Sequence, residues 1–500
     1  MPSRKLLLTL LFAQLALFAL ARDLHIAVAG IDANLEPGIA TSNTGMQIVP
    51  NLFETLIEMD MQDNSVLKPK LATSWHRVDD LTLELTLREG VTFHNGDPFG
   101  AEDVKFSFER FMNPDYRGSL SRSLFATITA VDIVDDHTVR ISTAQPDPIL
   151  EYRLASLWGA WIVPAKHYQA VGADAFGIEP VGTGFYRLSD RQPDRIELTA
   201  FAGYWGARPA AERVVYRIIP EVSTRVAALI AGEVDIVAAL PADQYASVER
   251  NADLRVERTL INNIHMLVYN TWDSPITDPK LRQALNLGID RQLIVDALWH
   301  GDAEVPRSHQ FAAYGPLFNA ERQVQPYDPD RARQLIAESG YDGSPVYYLA
   351  RHTGYVNELP VAEIIVQMWQ DLGIDAHVSV VDPSQLDLNT ASVGTWSNTM
   401  RFPDPAGGLW LLWNETGTQQ IRGWTPRNGF NEVGHELEIA QGIQERFELS
   451  QRLLDLWEEE APGTVLWFPS EAFGVSNTVV WKPNALQTID LRAELLSFID

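Results

Sequence analysis

The chain contains no cysteine among its 500 residues. This excludes disulfides, a thiolate nucleophile, cysteine-based metal sites and lipid attachment to a cysteine behind an exported leader. Positive charge is also scarce, since 39 Lys and Arg face 66 Asp and Glu, for a net charge of −27. A surface this acidic repels phosphate backbones and anionic lipid headgroups, so nucleic acid and membrane surfaces are not expected partners.

Long apolar runs are missing everywhere except at the N-terminus. There, Arg4 and Lys5 precede an apolar stretch that closes on the small residues Ala19 and Ala21. This pattern is typical of a signal peptide at residues 1–21, cleaved after Ala21. An uncleaved anchor is the alternative, but the stretch is shorter than the roughly 20 apolar residues that a membrane span needs. We therefore expect a free, non-lipidated protein in the periplasm.

Catalytic motifs are missing as well. The sequence has no Gly-x-Ser-x-Gly, no His-Glu-x-x-His and no glycine-rich phosphate loop. His435-Glu436 begins like a metalloprotease motif, but Ile439 occupies the place of the second histidine. We expect no enzyme activity, no catalytic residues, no metal ligands and no cofactor, with an exported hydrolase as the alternative.

What is present predicts a large α/β protein. Apolar residues make up 46% of the chain, enough for two or three domains with their own cores. A strand is predicted at 24–28, a hairpin at 133–141, and helices after the capping pairs at 278–279 and 328–329. A helix at 360–372, a glycine and a strand at 376–381 repeat the order expected of α/β lobes with mixed sheets. The hairpins in the first part predict an additional subdomain.

Several short segments occur in the order found in one known family. They are LATSW at 71–75, LREGVTFHNG at 87–96, AEDVKFS at 101–107, VGTGFYR at 181–187, YW at 204–205, ALIAGEVDI at 228–236, RQA at 282–284 and YDP at 327–329. Each is weak alone, but together they span nearly the whole mature chain. The chain resembles the family 5 extracellular solute-binding proteins, the binding components of dipeptide, oligopeptide and nickel ABC importers.

The resemblance implies a two-lobed periplasmic-binding-protein clamshell of type II, with mixed sheets and an extra subdomain in the first lobe. Lobe I is predicted at 22–55, 181–264 and 475–500, the extra subdomain at 56–180, and lobe II at 265–474. A solute enclosed between the lobes favours their closure. The closed form would dock on an inner-membrane ABC permease, and we expect it to be a monomer.

Ligand selectivity is expected in the segment from Trp396 to Trp424, which begins with WSNTMRFPDP at 396–405. In peptide-binding members of the family, a tryptophan precedes an acidic residue that holds the peptide's α-amino group. By alignment Arg401 stands in that position here, and a guanidinium binds carboxylate or phosphate instead of an amine. Arg401, Trp396 and Asn398 are therefore predicted ligand contacts. The alternative for Arg401 is a structural pair with Asp404 or another acid.

Four further residues complete the predicted site. Asp404 would be the amine acceptor if the alignment slips by three residues, although an acid before proline is also typical of a turn. Trp410 and Trp413 belong to a group of four tryptophans between 396 and 424, and indoles suit sugar faces, apolar side chains and cations. Their spacing beside leucines also fits a buried helix face. Asn34 lies in the loop after the first strand, which faces the cleft in relatives.

The sequence thus predicts a periplasmic solute-binding protein that captures a peptide or peptide-like solute by lobe closure. One alternative keeps the fold and changes the solute to an anionic opine, a sugar or a sugar phosphate, which would match Arg401 and the tryptophans. Another is a chemosensory protein that presents its solute to a receptor. Nickel and haem are further solutes of the family, but no histidine lies within 396–405.

Overall fold

The computed structural model of the chain describes residues 22–60, 65–272, 274–351, 355–381 and 391–499. The predicted signal peptide lies outside the described residues. In the described part, no helix combines the length and apolarity needed to cross a bilayer.

Strands and helices alternate along most of the described chain. The strands are β1 (Arg22–Val28), β2 (Ile57–Asp60), β3 (Val66–Pro69), β4 (Ala72–Asp79), β5 (Thr82–Leu87), β6 (Ile128–Asp135), β7 (Thr138–Thr143), β8 (Tyr186–Gln192), β9 (Arg195–Ala200), β10 (Ala211–Ile218), β11 (Ile236–Val237), β12 (Leu254–Leu260), β13 (Asn263–Tyr269), β14 (Ala303–Glu304), β15 (Val346–Arg351), β16 (Ala376–Val381), β17 (Val393–Thr399), β18 (Gly463–Ser476), β19 (Val479–Val480) and β20 (Ser497–Phe498). The helices are α1 (Val49–Leu52), α2 (Ala101–Glu109), α3 (Ser119–Leu124), α4 (Leu150–Leu154), α5 (Ala165–Ile178), α6 (Val222–Ile230), α7 (Tyr245–Glu249), α8 (Pro279–Leu287), α9 (Arg291–Trp299), α10 (Pro329–Ser339), α11 (Glu358–Asp371), α12 (Leu409–Trp413), α13 (Thr418–Arg422), α14 (Phe430–Ile439) and α15 (Ile443–Glu460).

The largest sheet runs in the order β16-β15-β17-β13-β18-β11-β1-β10-β9-β8, with β12 and β14 also paired to β18. It is mixed, because β1 is parallel to β10 and β15 is parallel to β16, whereas β13 is antiparallel to β17. Strand β18 belongs to both halves: residues 463–467 pair with β13, and residues 470–476 pair with β12. We call the half with β1 and β8–β12 lobe I and the half with β13 and β15–β17 lobe II.

A second sheet, β4-β5-β7-β6, forms the predicted additional subdomain. Leu83 and Leu85 of β5 and Val139 and Ile141 of β7 are completely buried on one face, against Val104 of α2. The alternation of apolar and polar residues in these strands therefore produces a sheet with one buried face. The predicted residue boundaries of the lobes and of the subdomain remain predictions.

Local signals in the sequence place several helices correctly. Asp278 and Asp328 cap α8 and α10, each accepting a hydrogen bond from a backbone N–H of the first turn, and Pro279 and Pro329 occupy the first helical position. Gly340 ends α10 in the left-handed conformation, with a φ of 71° that suits glycine. The predicted strand at 376–381 is β16. The α/β class predicted from these patterns is confirmed.

Lobe II and the subdomain are packed against each other. A single cluster of buried apolar residues includes Phe108 and Phe125 of the subdomain together with Phe402 and Trp410 of the lobe II side. Residues distant in sequence thus share one core across the boundary between the lobes. Lobe II and the subdomain are therefore in direct contact in this structure.

Candidate functional site

The loop after β17 is built by a cap and two glycines. Asp404 accepts a hydrogen bond from the Ala406 N–H at 2.8 Å and begins a 3-10 turn at Pro405–Gly407. A Cβ on Gly407 would lie 2.6 Å from the Phe402 ring, and one on Gly408 would lie 2.0 Å from the Tyr314 hydroxyl. The close packing that only glycine allows brings the chain back over residues 400–402 and fixes their position.

Arg401 lies on this loop at the contact between lobe II and the subdomain. Its guanidinium stacks on the Trp158 ring, with Cζ 3.8 Å from the ring centroid. The Ser156 hydroxyl donates to the Arg401 carbonyl oxygen at 3.0 Å. Arg401 is therefore held from the opposite side of the cleft by both its backbone and its side chain.

Three nitrogen donors at this contact lack an acceptor. Arg401 is 9% exposed, and Trp158 is 1% exposed. Arg401 Nε and Nη1 and Trp158 Nε1 are buried and have no hydrogen-bond partner among the described residues. Burial lowers the pKa of Arg401 to about 9, so the group stays protonated at neutral pH. An anionic group is what would satisfy a buried cation in this setting.

Asp404, in contrast, has its partner within lobe II. Arg446 of α15 donates to it through Nη2 at 2.6 Å and through Nε at 3.1 Å. Arg446 also donates to the carbonyl oxygens of Leu437 and Ala440, which ties the loop to α14 and α15. The alternative in which Arg401 pairs with Asp404 is therefore wrong. A ligand contact by Asp404 stays a prediction, but its carboxylate is already engaged in the loop.

Trp396 and Asn398 lie on β17 just before the loop. Asn398 is fully buried, and its Nδ2 donates to the Gly408 carbonyl oxygen at 3.1 Å and to His309 Nε2 at 2.6 Å. Burial lowers the pKa of His309 to about 4, which leaves the imidazole neutral and able to accept. Asn398 therefore stabilises the loop through its contacts with Gly408 and His309. Trp396 is half-buried and packs against the shared core.

Trp410 and Trp413 lie in α12, and both are 1% exposed. The Trp410 ring contacts Phe430 with centroids 5.8 Å apart, and the Trp413 ring contacts Trp424 and Trp457 at 5.5 and 5.4 Å. These contacts match the buried helix face that their spacing indicated. Their ligand role stays a prediction, and packing in the lobe II core is what the structure shows.

Asn34 is separate from these residues. Its Oδ1 accepts the Glu36 N–H at 2.8 Å, and its amide lies so close to Gly177 that a Cβ there would be 1.9 Å from Oδ1. The contacts described for Asn34 are therefore within lobe I and its helix α5. The structure groups Arg401, Asp404, Trp396 and Asn398 around one loop and leaves Asn34 apart.

The sequence did not predict the residues that the subdomain contributes to the site. Ser156 and Trp158 contact Arg401, and Arg153 stacks on Phe402 at 5.5 Å and lies 3.6 Å from Glu438 of α14. One signal was present: the run WGAW at 158–161 places two tryptophans around Gly159, whose φ of 147° is rare for other residues. Nothing in the sequence paired that run with residue 401.

A cavity of about 480 Å³ lies on the lobe I side of the same segment, lined by Leu157 and Trp161. Two of its acidic groups, Glu54 and Glu58, are paired. Glu54 accepts from Tyr204 and Trp205 at 2.9 Å each, and Lys70 lies 3.4 Å from Glu54 and 3.3 Å from Glu58. We interpret this network as structural support between lobe I and the subdomain.

Within the part of the chain described, no group of three or more His, Asp or Glu side chains is arranged to hold a metal ion.

Comparison with known proteins agrees with this architecture. The family described as bacterial extracellular solute-binding proteins, family 5 Middle, matches residues 66–420. The glutathione-binding protein GsiB of Salmonella typhi is 31% identical over 394 residues, which cover 76% of this chain and 74% of the relative. GsiB of Escherichia coli O157:H7 is 30% identical over 392 residues, covering 76% and 74% of the two chains.

Solved structures share the fold at lower identity. The periplasmic binding protein DppA from Helicobacter pylori, in complex with the peptide STSA, superposes with a TM-score of 0.85 at 21% identity, covering 95% of this chain and 98% of that one. AgaA from A. tumefacien R10, in complex with agropinic acid, superposes with a TM-score of 0.83 at 20% identity, covering 96% and 99%. The predicted clamshell fold is confirmed. The chain belongs to the family 5 bacterial extracellular solute-binding proteins, and its function is to bind a solute for transport.

Proposed function

We propose that this protein captures a peptide-like solute with a free carboxylate between its lobes and delivers it to an inner-membrane ABC permease. Arg401 and Trp158 hold the carboxylate. The protein carries out no chemistry on the solute, works in the periplasm after removal of its signal peptide, and acts as a monomer.

The observation that carries this proposal is the Arg401 guanidinium at the contact between lobe II and the subdomain, where Nε and Nη1 have no acceptor among the described residues. A buried cation without an acceptor costs several kcal/mol, because its hydration is lost and not replaced. A carboxylate beside Arg401 and Trp158 would accept from the three free donors and remove that cost. The bound anion would therefore favour the closed state over the open one, which is what couples solute capture to closure.

The relatives support a peptide-like solute. The GsiB proteins are named for glutathione, and the H. pylori DppA structure holds a four-residue peptide. Glutathione is itself a peptide with two carboxylates and one amine, so it offers the group that Arg401 would bind. AgaA, with a bound opine, supports an anionic opine as the second candidate.

A thermal-shift and calorimetry screen of the mature protein tests the proposal, after unfolding and refolding to release any carried solute. The probes are reduced glutathione, Met-Leu and agropinic acid, with glutathione diethyl ester and Met-Leu amide as forms whose carboxylates are blocked. We expect the free acids to raise the melting temperature and the blocked forms to have no effect. A probe at 100 times its Kd adds about 2.7 kcal/mol to stability.

Arg401→Ala should weaken binding of the active probe by at least tenfold, about 1.4 kcal/mol. Arg333→Ala is the matched control, since its side chain is 52% exposed and pairs only with Asp330 at the surface. Equal binding of free and blocked probes would mean that Arg401 has a structural role and does not bind the carboxylate. A rise in melting temperature with agropinic acid alone would indicate that the solute is an opine. No rise with any probe would reject the proposal.

A further inference from the structure

The strand shared by the two lobes carries a carboxylate that the predicted site did not include. Glu471 lies in β18 opposite Thr259 of β12, close to the point where β18 passes from lobe II to lobe I. Its Oε2 is buried and has no hydrogen-bond partner among the described residues. An acid in the region where the lobes join is therefore shielded from water without a donor at one of its two oxygens.

Among the described residues, no compensating charge acts on the Glu471 carboxyl. Burial raises its pKa to about 7, and contact with the Gln487 side chain is the only opposing influence. Gln487 itself has a φ of 62°, a left-handed conformation that is strained for a residue with a side chain and is often found at ligand-contacting turns. An ordinary structural carboxylate in this setting would have an arginine or lysine beside it.

Asn263 connects this acid to the loop of Arg401. Its Nδ2 donates to Thr399 Oγ1 at 2.9 Å and lies 3.5 Å from Gln487 Oε1. Thr399 ends β17, two residues before Arg401. Asn263 Oδ1, like Glu471 Oε2, is a buried acceptor without a donor in the described part of the chain.

The unsatisfied polar groups around this region are of both kinds. They include acceptors at Glu471, Asn263 and Asn398 and donors at Arg401, Trp158 and Trp467. A single anion would satisfy only the donors. A solute with an ammonium group at one end and a carboxylate at the other would satisfy both sets.

We propose that Glu471, assisted by Asn263, accepts the hydrogen bonds of a protonated amine of the solute and so makes the site selective for zwitterions. This rests on the proposed solute-binding function and adds a second anchor to it. Peptide-binding relatives carry their amine acceptor in the segment that corresponds to 396–405 here. In this chain an acid on β18 would replace that acceptor, and Arg401 would bind the carboxylate of the solute.

Calorimetry with paired probes tests the inference on the mature protein. The probes are reduced glutathione and Met-Leu, each free and N-acetylated, so that each pair differs in the charged amine and keeps its carboxylates. We expect the wild-type protein to bind the better free probe at least tenfold more tightly than its acetylated form. Glu471→Gln should lose that preference, binding both forms within about twofold of each other.

Glu257→Gln is the matched control, because Glu257 lies on β12 next to β18 and pairs with Arg255. It should keep the wild-type preference. Equal binding of free and acetylated probes by the wild-type protein would overturn the inference while leaving the proposed function intact. An amine preference that Glu471→Gln retains would also overturn it. Failure of every probe to bind the wild-type protein would reject the proposed function itself.

Discussion

Two buried arginines near the same loop have opposite environments. Arg446 forms a bidentate pair with Asp404 and two further bonds to carbonyl oxygens. Arg401 is also buried, yet its Nε and Nη1 have no acceptor in the described part of the chain. Residue type alone does not separate these two environments, whereas the count of satisfied donors does.

Breaking the Asp404–Arg446 pair should destabilise lobe II. Asp404→Ala leaves Arg446 buried without its counter-ion, a change that costs about 3–5 kcal/mol. Urea unfolding measures the loss. Asp330→Ala, which removes a partner that is 90% exposed, should change stability by less than about 0.5 kcal/mol. A loss no larger than that of Asp330→Ala would mean that the pair does not support the loop.

The sequence allowed one half of the candidate site to be proposed. Arg401 was singled out because it departs from the family's pattern at a recognisable position. Trp158 and Glu471 were not singled out, because the roles proposed for them depend on contacts with residues far away in the chain. Periodicity and motifs report local structure, but they do not report which buried polar groups lack a partner.

At the scale of single elements, the sequence was more informative. Asp-Pro pairs, left-handed glycines and alternating strands are local features, so α8, α10 and β16 were predicted close to their observed bounds. The tryptophans of α12 had two interpretations, since aromatic residues serve both cores and ligand sites. Only the ring contacts with Phe430, Trp424 and Trp457 show that they pack in lobe II.

Helix α10 offers a test of the capping argument. Asp328 accepts a hydrogen bond from the Arg331 N–H at 2.9 Å. Asp328→Ala should lower the free energy of unfolding by about 1 kcal/mol, whereas Asp328→Asn, which keeps a capping oxygen, should stay within a few tenths. Chemical denaturation compares the two variants. Equal losses in both would indicate that the charge, and not the cap, is what matters.

At the scale of the whole molecule, buried neutral histidines predict sensitivity to acid. Burial lowers the pKa of His265 to about 3 and that of His94 and His309 to about 4. The unfolded chain binds protons at these groups below pH 6.5, and the folded one does not. Stability is therefore complete above pH 6.5 and falls towards pH 4, by up to about 1.4 kcal/mol per pH unit for each histidine.

Carboxyl groups with raised pKa values have the opposite effect on stability in acid. Burial raises the pKa of Asp103 to about 6 and that of Glu471 to about 7, so the folded state takes up their protons first and gains stability on acidification. Three histidines outweigh two acids between pH 6 and 4.5, and we expect a net loss of stability over that range. His309→Asn should flatten the curve of unfolding free energy against pH, and Glu471→Gln should steepen it. An unchanged curve in both variants would contradict these assignments.

Strand β18 also determines when the fold can be completed. It is encoded near the end of the chain, yet it lies in the middle of the main sheet, between β13 and β11. A ribosome therefore synthesises almost all of both lobes before it makes the strand that joins them. Pairings between residues so distant in sequence form slowly. Until residues 463–476 emerge, neither lobe has its full sheet, so the main sheet is completed only at the end of synthesis.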